Sequence, residues 1–370
     1  MKIRKKHLNR RNMHTVRSAW HRRSSNHPKF NFFAKIGSYI LFACIFCLLI
    51  FPASLYGIYG LFDKVPEHNN NPITETFPNK ITLPDYINVY NTTTKQVMAV
   101  PFEDYVKGVV AGEMPSTFEE EALKAQAVAA RTYSLSKVIR SGTGGNPPAH
   151  PGAPLCNSTH CQVYRTVDEL KQLKGEVWMQ QDWLKICKAV ESTKGQMMYY
   201  NGQLAEQALF HSSSGGHTEN SEDVFASAVP YLRSVDSPYE ADATHKNESR
   251  SLTVAEFAQK VKSAYPNKAF GDISISSIKI LNNTQGGRVN QIQVGNQTLT
   301  GREIRECLGL ASADFTFGFT ISNSQPYIIF TTNGSGHGVG MSQYGANGMA
   351  KKGYTYKDIL EHYYTGIKVY

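Results

Sequence analysis

Ile36 to Phe62 is a run of 27 residues without a charged side chain, bracketed by Lys35 and Asp63. A helix of about 20 apolar residues crosses the hydrocarbon core of a bilayer and satisfies its own backbone hydrogen bonds there. The run therefore predicts a single-pass membrane helix over 36–62. Residues 1–35 carry eleven Lys and Arg and no acid, and the positive-inside rule places that tail in the cytoplasm and everything after Asp63 outside. A cleaved signal peptide is the rival reading, with Pro52-Ala53-Ser54-Leu55 imitating a cleavage site. Its apolar region would be shorter and its cationic region rarely so long, so the sequence favours an uncleaved anchor.

The tail also accounts for the charge. The 370-residue chain carries +9, yet from Ile36 onward 28 basic side chains face 30 acidic ones. A body so nearly neutral argues against a nucleic-acid footprint. With 41% hydrophobic and 19% charged residues it can bury a core, which excludes wholesale disorder. Four cysteines, Cys156, Cys161, Cys187 and Cys307, follow the apolar run, too few for a disulfide framework in a body of this size.

Residues 63–82, rich in Pro and Asn, read as a linker. The body, 83–370, alternates helical and strand patterns, which predicts a mixed α+β fold. Tyr86–Val100 reads as paired strands with a turn at 91–95, and Phe102–Gly112 as a helix. Ser116 with Glu119 reads as a capping box opening a second helix, in which Ala122, Leu123, Ala127, Ala130, Tyr133 and Val138 recur at the period of a buried face. Helix is expected over 167–194, 252–265, 301–309 and 355–364, and strands over 196–200, 204–211, 273–300 and up to 332. The stretch 252–310 is a candidate inserted subdomain.

Four groups of residues can carry chemistry. Glu113 lies where one predicted helix ends and another begins. The negative end of a helix and the apolar neighbours Val110, Met114 and Pro115 both favour its protonated form, as a general acid near neutrality requires; the plain alternative is a solvated turn carboxylate. The loop His211-Ser212-Ser213-Ser214-Gly215-Gly216-His217-Thr218 offers small donors to a polyhydroxyl ligand, or is an ordinary hairpin connection. Gly334 to Tyr344, GSGHGVGMSQY, fits neither phosphate-binding glycine fingerprint and presents His, amide and aromatic groups suited to a sugar or amide. Finally His150, Cys156, His160 and Cys161 fall within twelve residues. Thiolates with imidazole suit Zn²⁺, while a Cys156–Cys161 disulfide or free thiols are the alternatives. Because His160 adjoins Cys161, the expected ligands are His150, Cys156 and Cys161, with the fourth position unassigned.

Three segments together, VKGVVAGEMPSTFEEEALKAQAVAARTY, HSSSGGHTENSEDVF and GSGHGVGMSQYGANGMAKKGYTYKDILEHYYTGI, resemble the stage II sporulation protein D family over roughly residues 83–370. The resemblance implies a peptidoglycan lytic transglycosylase that cuts between N-acetylmuramic acid and N-acetylglucosamine in amidase-stripped glycan and leaves 1,6-anhydro ends. It maps the catalytic Glu onto Glu113. Groove roles carry over to Ser212, Ser213, Ser214, His337, Gly338, Met341, Ser342, Gln343 and Tyr344, and Arg131 and Tyr133 are expected to orient the site from the second helix. The family implies zinc in some members, at the region matching 150–161. It also implies action at the mother-cell membrane during engulfment, beside an amidase (stage II protein P) and a membrane scaffold (stage II protein M). The competing readings are a non-catalytic peptidoglycan-binding enhancer of an amidase and a zinc-dependent wall hydrolase.

Overall fold

The computed structural model describes residues 81–370. The basic tail, the apolar run 36–62 and all but the end of the 63–82 linker lie outside the described residues. Among those described, no helix is long and apolar enough to cross a membrane. The body is a mixed α+β structure with two hydrophobic cores.

The chain opens with the antiparallel hairpin β1 (Tyr86–Tyr90) and β2 (Val97–Pro101). Asn91 closes its turn by accepting the backbone N–H groups of Thr93 and Thr94, the Asx geometry that favours Asn at such positions. Helix α1 (Phe102–Glu113) follows directly and α2 (Glu120–Gly144) after a short turn. The capping box expected at Ser116 does not form. The Ser116 hydroxyl instead accepts the indole N–H of Trp178 at 3.1 Å, and α2 starts later, with Glu119 at its N-cap.

Helix α2 is the axis of the first core. Ala122, Ala125, Ala127, Ala129 and Ala130 are fully buried, and side chains this small let helices approach on several sides. Strand β3 (Leu155–Cys156) then adds to β1 in parallel. The single helix expected over 167–194 is two, α3 (Val167–Lys174) and α4 (Glu176–Ser192). They break at Gly175, whose φ of 83° suits glycine and disfavours other residues. Short strands β4 (Met198–Tyr200), β5 (Gln203–Leu204) and β6 (Phe210–His211) lead to the short helix α5 (Ser221–Val224).

The second core takes in residues from Leu252 to Phe330. Strand β7 (Glu248–Thr253) and helix α6 (Val254–Ala264) precede the antiparallel meander β8 (Ile278–Asn283), β9 (Val289–Val294) and β10 (Gln297–Thr300). Helix α7 (Gly301–Leu308) and the hairpin β11 (Phe315–Ser322), β12 (Gln325–Thr332) complete it. The stretch with its own core thus runs past residue 310. Strand β12 pairs antiparallel with β7, with Glu248 opposite Thr332, so the chain enters and leaves this unit at one place. It then returns to the first core through β13 (Met341–Ser342), α8 (Gln343–Lys351), α9 (Tyr356–Tyr363) and β14 (Ile367–Val369). Helix α8 occupies part of what reads in sequence as glycine-rich loop; the Ser342 hydroxyl caps it by accepting from the Gly345 N–H at 3.1 Å.

Arg131 ties the first core together. It is fully buried and forms a two-pronged pair with Glu103 of α1, through Nε at 2.8 Å and Nη2 at 2.7 Å, and it also donates to the Gln196 and Val190 carbonyls. Breaking a buried pair strands the remaining charge, at a cost of about 3–5 kcal/mol. Arg131→Ala is therefore expected to destabilise the chain by about that amount in urea unfolding. Lys171→Ala, which removes an exposed pair with Glu176, should change stability by less than ~1 kcal/mol.

Candidate functional site

Glu113 is the last residue of α1. Gly108 and Gly112 lie four apart on that helix and so share a face. Across this face runs the segment Val163–Arg165: a Cβ on Gly112 would sit 2.6 Å from the Val163 carbonyl oxygen, and one on Gly108 2.4 Å from that of Arg165. Only glycine admits so close an approach. The approach brings the Val163 N–H to Glu113 Oε1, to which it donates a short hydrogen bond. Gln343, at the start of α8, donates to the same carboxylate and lies 3.5 Å from Gln126 Oε1 on α2.

Burial pushes the Glu113 carboxyl above its ordinary range, and the Val163 and Gln343 hydrogen bonds pull partly back. No ionised neighbour contributes. Aromatic rings stand around the turn that follows: Phe118 meets Tyr344 edge-on at 5.0 Å, and Trp178 reaches Ser116. Trp178 was not among the residues expected here. It lies on α4, 65 positions downstream in sequence, and no local pattern links it to Glu113.

The serine loop and the glycine loop meet. Strand β6 pairs in parallel with β13, aligning Phe210 with Met341 and His211 with Ser342, and bridges join Ser213 to Ser335 and Glu219 to Val339. One buried carboxylate, Glu240, organises the junction. It accepts the backbone N–H groups of Ser214 and Gly215 and the hydroxyls of Ser214, Ser237 and Ser342.

The expected groove residues therefore separate. Ser214 and Ser342 spend their hydroxyls on Glu240, Ser213 and Met341 are fully buried, and Gly338 makes room for Arg288, whose Nη1 would lie 1.8 Å from a Cβ there. His337 is packed between His211 and Phe225 at 5.6 and 5.5 Å. Burial and the charges of Arg288 and Arg305 push it down to about 4, so it is neutral near pH 7, with Nδ1 accepting from the Val339 N–H. Of the expected members Gln343 touches Glu113, and next to it in sequence the Tyr344 N–H donates to the Ser212 carbonyl at 3.0 Å. Arg131 belongs to the frame described above and reaches no open surface. Tyr133, nearly buried beneath Lys137, lines a cavity with His150, His160 and Cys161.

That cavity borders the His/Cys cluster. Cys156 Sγ and Cys161 Sγ are 3.5 Å apart, well beyond the ~2.05 Å of a disulfide. Cys161 Sγ is 3.6 Å from His150 Nε2, and His160 Nδ1 is 3.7 and 3.6 Å from the two sulfurs. Adjacency in sequence does not keep His160 out, because the tight turn in which the Cys161 N–H bonds the Ser158 carbonyl folds its ring back over both thiols. All four donor atoms lie within 4.8 Å of one another. His150 holds its Nδ1 against the Ala153 carbonyl at 2.8 Å, which leaves the Nε2 lone pair facing the cluster. Two residues beyond Cys161 comes Val163, the donor to Glu113.

Residues 90–200 match the family model for Stage II sporulation protein. The chain is 43% identical over 287 residues to stage II sporulation protein D of Bacillus subtilis (strain 168), covering 77% of this chain and 79% of that protein. The chain belongs to the stage II sporulation protein D family. A second member, from Bacillus amyloliquefaciens, is 38% identical over 311 residues, 83% of this chain and 86% of its own length. A protein named amidase enhancer from Bacillus subtilis (strain 168) is 32% identical over 306 residues, covering 70% of this chain but 39% of the enhancer. For this family member, the matched residues 90–200 contain both Glu113 and the His/Cys cluster.

The raised Glu113 pKa has a consequence for stability. A carboxyl whose folded pKa lies above its unfolded value stabilises the fold at low pH and loses that contribution as pH rises through the folded pKa. Glu113→Gln keeps an acceptor for the Val163 N–H and removes the buried charge. It should be more stable than the wild type in urea unfolding at pH ~8, with the difference closing towards pH ~4, near the ordinary carboxyl range.

Proposed function

We propose that this protein is a membrane-anchored lytic transglycosylase that cleaves MurNAc–GlcNAc bonds of amidase-stripped peptidoglycan during sporulation. The observation that carries the reading is Glu113 itself: a half-buried carboxyl with a raised pKa, positioned by a backbone N–H and an amide, and perturbed by no second acid. Glycoside hydrolysis ordinarily needs two carboxylates, whereas an internal nucleophile lets one suffice. Glu113 protonates the glycosidic oxygen as the C1–O bond breaks. The C6 hydroxyl of the same muramyl ring attacks C1 and returns its proton to the Glu113 carboxylate, closing the anhydro ring and restoring the acid. The nucleophile is already in place, which favours the reaction by proximity. Gln343 and the Val163 N–H keep the carboxylate aimed, and the partly exposed Tyr344 and Trp178 offer apolar faces to sugar rings.

Zinc belongs to the proposal as a structural ion on His150, Cys156, Cys161 and His160. Bond lengths of ~2.3 Å to sulfur and ~2.0 Å to nitrogen put tetrahedral ligand atoms about 3.4–3.8 Å apart, and the four contacts given above span 3.5–3.7 Å. Four protein ligands leave no open position, so the ion would brace the loop that carries Val163 rather than act on substrate. The 36–62 run would anchor the protein with its body facing the wall, beside a sporulation amidase and its membrane scaffold. The similarity to an amidase enhancer supports a second reading, in which the protein binds glycan and stimulates an amidase without cutting.

Mass spectrometry of amidase-stripped strands incubated with the full chain decides between them. Anhydro-ended products from the wild type, reduced at least ~100-fold in Glu113→Gln, are expected for loss of a general acid. Intact strands together with faster amidase action would establish the enhancer instead. Elemental analysis should find about one zinc per chain, lost in Cys156→Ser and in Cys161→Ser, and chelation should lower the melting temperature.

A further inference from the structure

We propose that the cavity beside the His/Cys cluster is a carboxylate-binding subsite for the glycan strand, with Lys137 and Arg140 as its cationic donors. The choice of a muramyl lactyl carboxylate as the ligand rests on the glycan reading above; the cationic character of the cavity does not. The cavity has a volume of about 480 Å³, and Lys137, Arg140, Asn146, Pro147, His160 and Cys161 are among the residues that wall it. No Asp or Glu lines it.

Lys137 and Arg140 lie three positions apart on α2 and so share a face, where like charges repel. Lys137 is half-buried, with Nζ 4.7 Å from the centre of the Tyr133 ring, and Arg140 is exposed. Neither side chain donates to a carboxylate or carbonyl among the described residues. Burial and the Arg140 charge hold the Lys137 ammonium below its ordinary range, while Cys161 and Glu206 draw it back. Neither of those two serves as a counter-ion. Glu206 is exposed, stands outside the cavity wall and forms no ion pair with Lys137. The cluster that holds Cys161 is neutral in either form, because free thiols carry no charge and two thiolates cancel one Zn²⁺. The negative end of a helix can match cations in its last turn, but neither residue lies in the last turn of α2. A partly buried charge is costly until it is paired, so the cavity lacks an anion.

The rest of the wall suits a sugar that carries one. Ser141 gives its hydroxyl to Asn146 Oδ1, which leaves the Asn146 Nδ2 hydrogens for a hydroxyl or acetamide oxygen, and Pro147 offers an apolar face to ring C–H groups. Cys161 in the wall is two residues from Val163, the donor to Glu113, so at most ~7 Å of chain separates them. A strand held at Glu113 would thus lay a neighbouring muramyl residue in the cavity. Hydrolysis of the amide between the lactyl group and the stem peptide leaves a carboxylate where the uncut strand has a neutral amide. Hydrogen bonds between ionised partners are about twice as strong as neutral ones, so the subsite would favour stripped glycan.

The test is calorimetry on the full chain carrying Glu113→Gln, so that strands are bound and not consumed. The probes are amidase-stripped strands and the same strands with every lactyl carboxylate converted to a methylamide. Stripped strands are expected to bind at least tenfold more tightly. Adding Lys137→Gln and Arg140→Gln together should bring the two affinities level by weakening the stripped strand alone, with the metal content of the parent by elemental analysis. Arg140→Lys, which keeps the charge at an exposed position, should retain the preference. Equal affinities in the parent, no binding of stripped strands, a preference that survives the double substitution, or a preference lost only together with metal would overturn the proposal. Because the methylamide is a change in the ligand, the parent alone decides the matter if the double variant folds poorly. A preference that the double substitution removes, without anhydro products from the wild type, would sink the lytic reading alone; anhydro products with equal affinities would sink this subsite alone.

Discussion

The close passage of residues 162–165 across the glycine face of α1 is the contact on which the candidate site depends. Two missing side chains, at Gly108 and Gly112, let one backbone lie against another closely enough that Val163 reaches Glu113. The passage is held from both sides. Gln162 is buried and gives its amide to Tyr105 on α1 and Ser134 on α2, and the His/Cys turn precedes it. The hydrogen bond that aims the carboxylate is therefore supported by packing, and any change in the 150–161 loop acts on Glu113 through the backbone.

A second carboxylate does comparable work where the chain returns. Glu240 gathers donors from the serine loop, from Ser237 and from the cap of α8. Such a hub is stable because a buried carboxylate surrounded by donors has its charge satisfied, whereas losing it would leave several donors unpaired. Its effect is to fix the start of α8, and so the position of Gln343 against Glu113. Further ties, from the Glu119 N–H to Asn347 and from the Tyr356 N–H to Glu121, bind the last helices to the start of α2. The site is thus assembled from segments more than 200 positions apart in the chain.

The second core reaches the glycine loop through Arg288. Its guanidinium lies under Gly338, which explains why that position carries no side chain better than a direct ligand contact would. Several residues that read as a groove in sequence turn out to build its walls: serines that cap and bridge, a histidine held neutral in an aromatic pocket, a methionine in the core. Small polar residues and glycines serve a buried junction between loops as well as they serve a ligand, and composition cannot tell the two uses apart.

Much was legible in the sequence. The helical period around Ala122–Val138, the hairpin at Asn91 and the helix ending at Glu113 follow from local rules of patterning and capping, which depend on neighbours a few residues away. The His150–Cys161 cluster stood out because its chemistry is rare and its spacing short, and Glu113 because its segment resembles the family's. What local reasoning missed has one cause: the deciding partner is distant in sequence. Ser116 caps no helix because Trp178 takes its hydroxyl, His160 joins the thiols because a turn folds it back, and Arg131 is a tie because Glu103 lies beside it. The residue types and their order determined the family and most of the elements, and put Glu113 forward as the candidate acid. Only the tertiary structure decided which donors face a ligand and which face each other, because a hydrogen bond depends on where its partner lies in space, and distance along the chain does not record that.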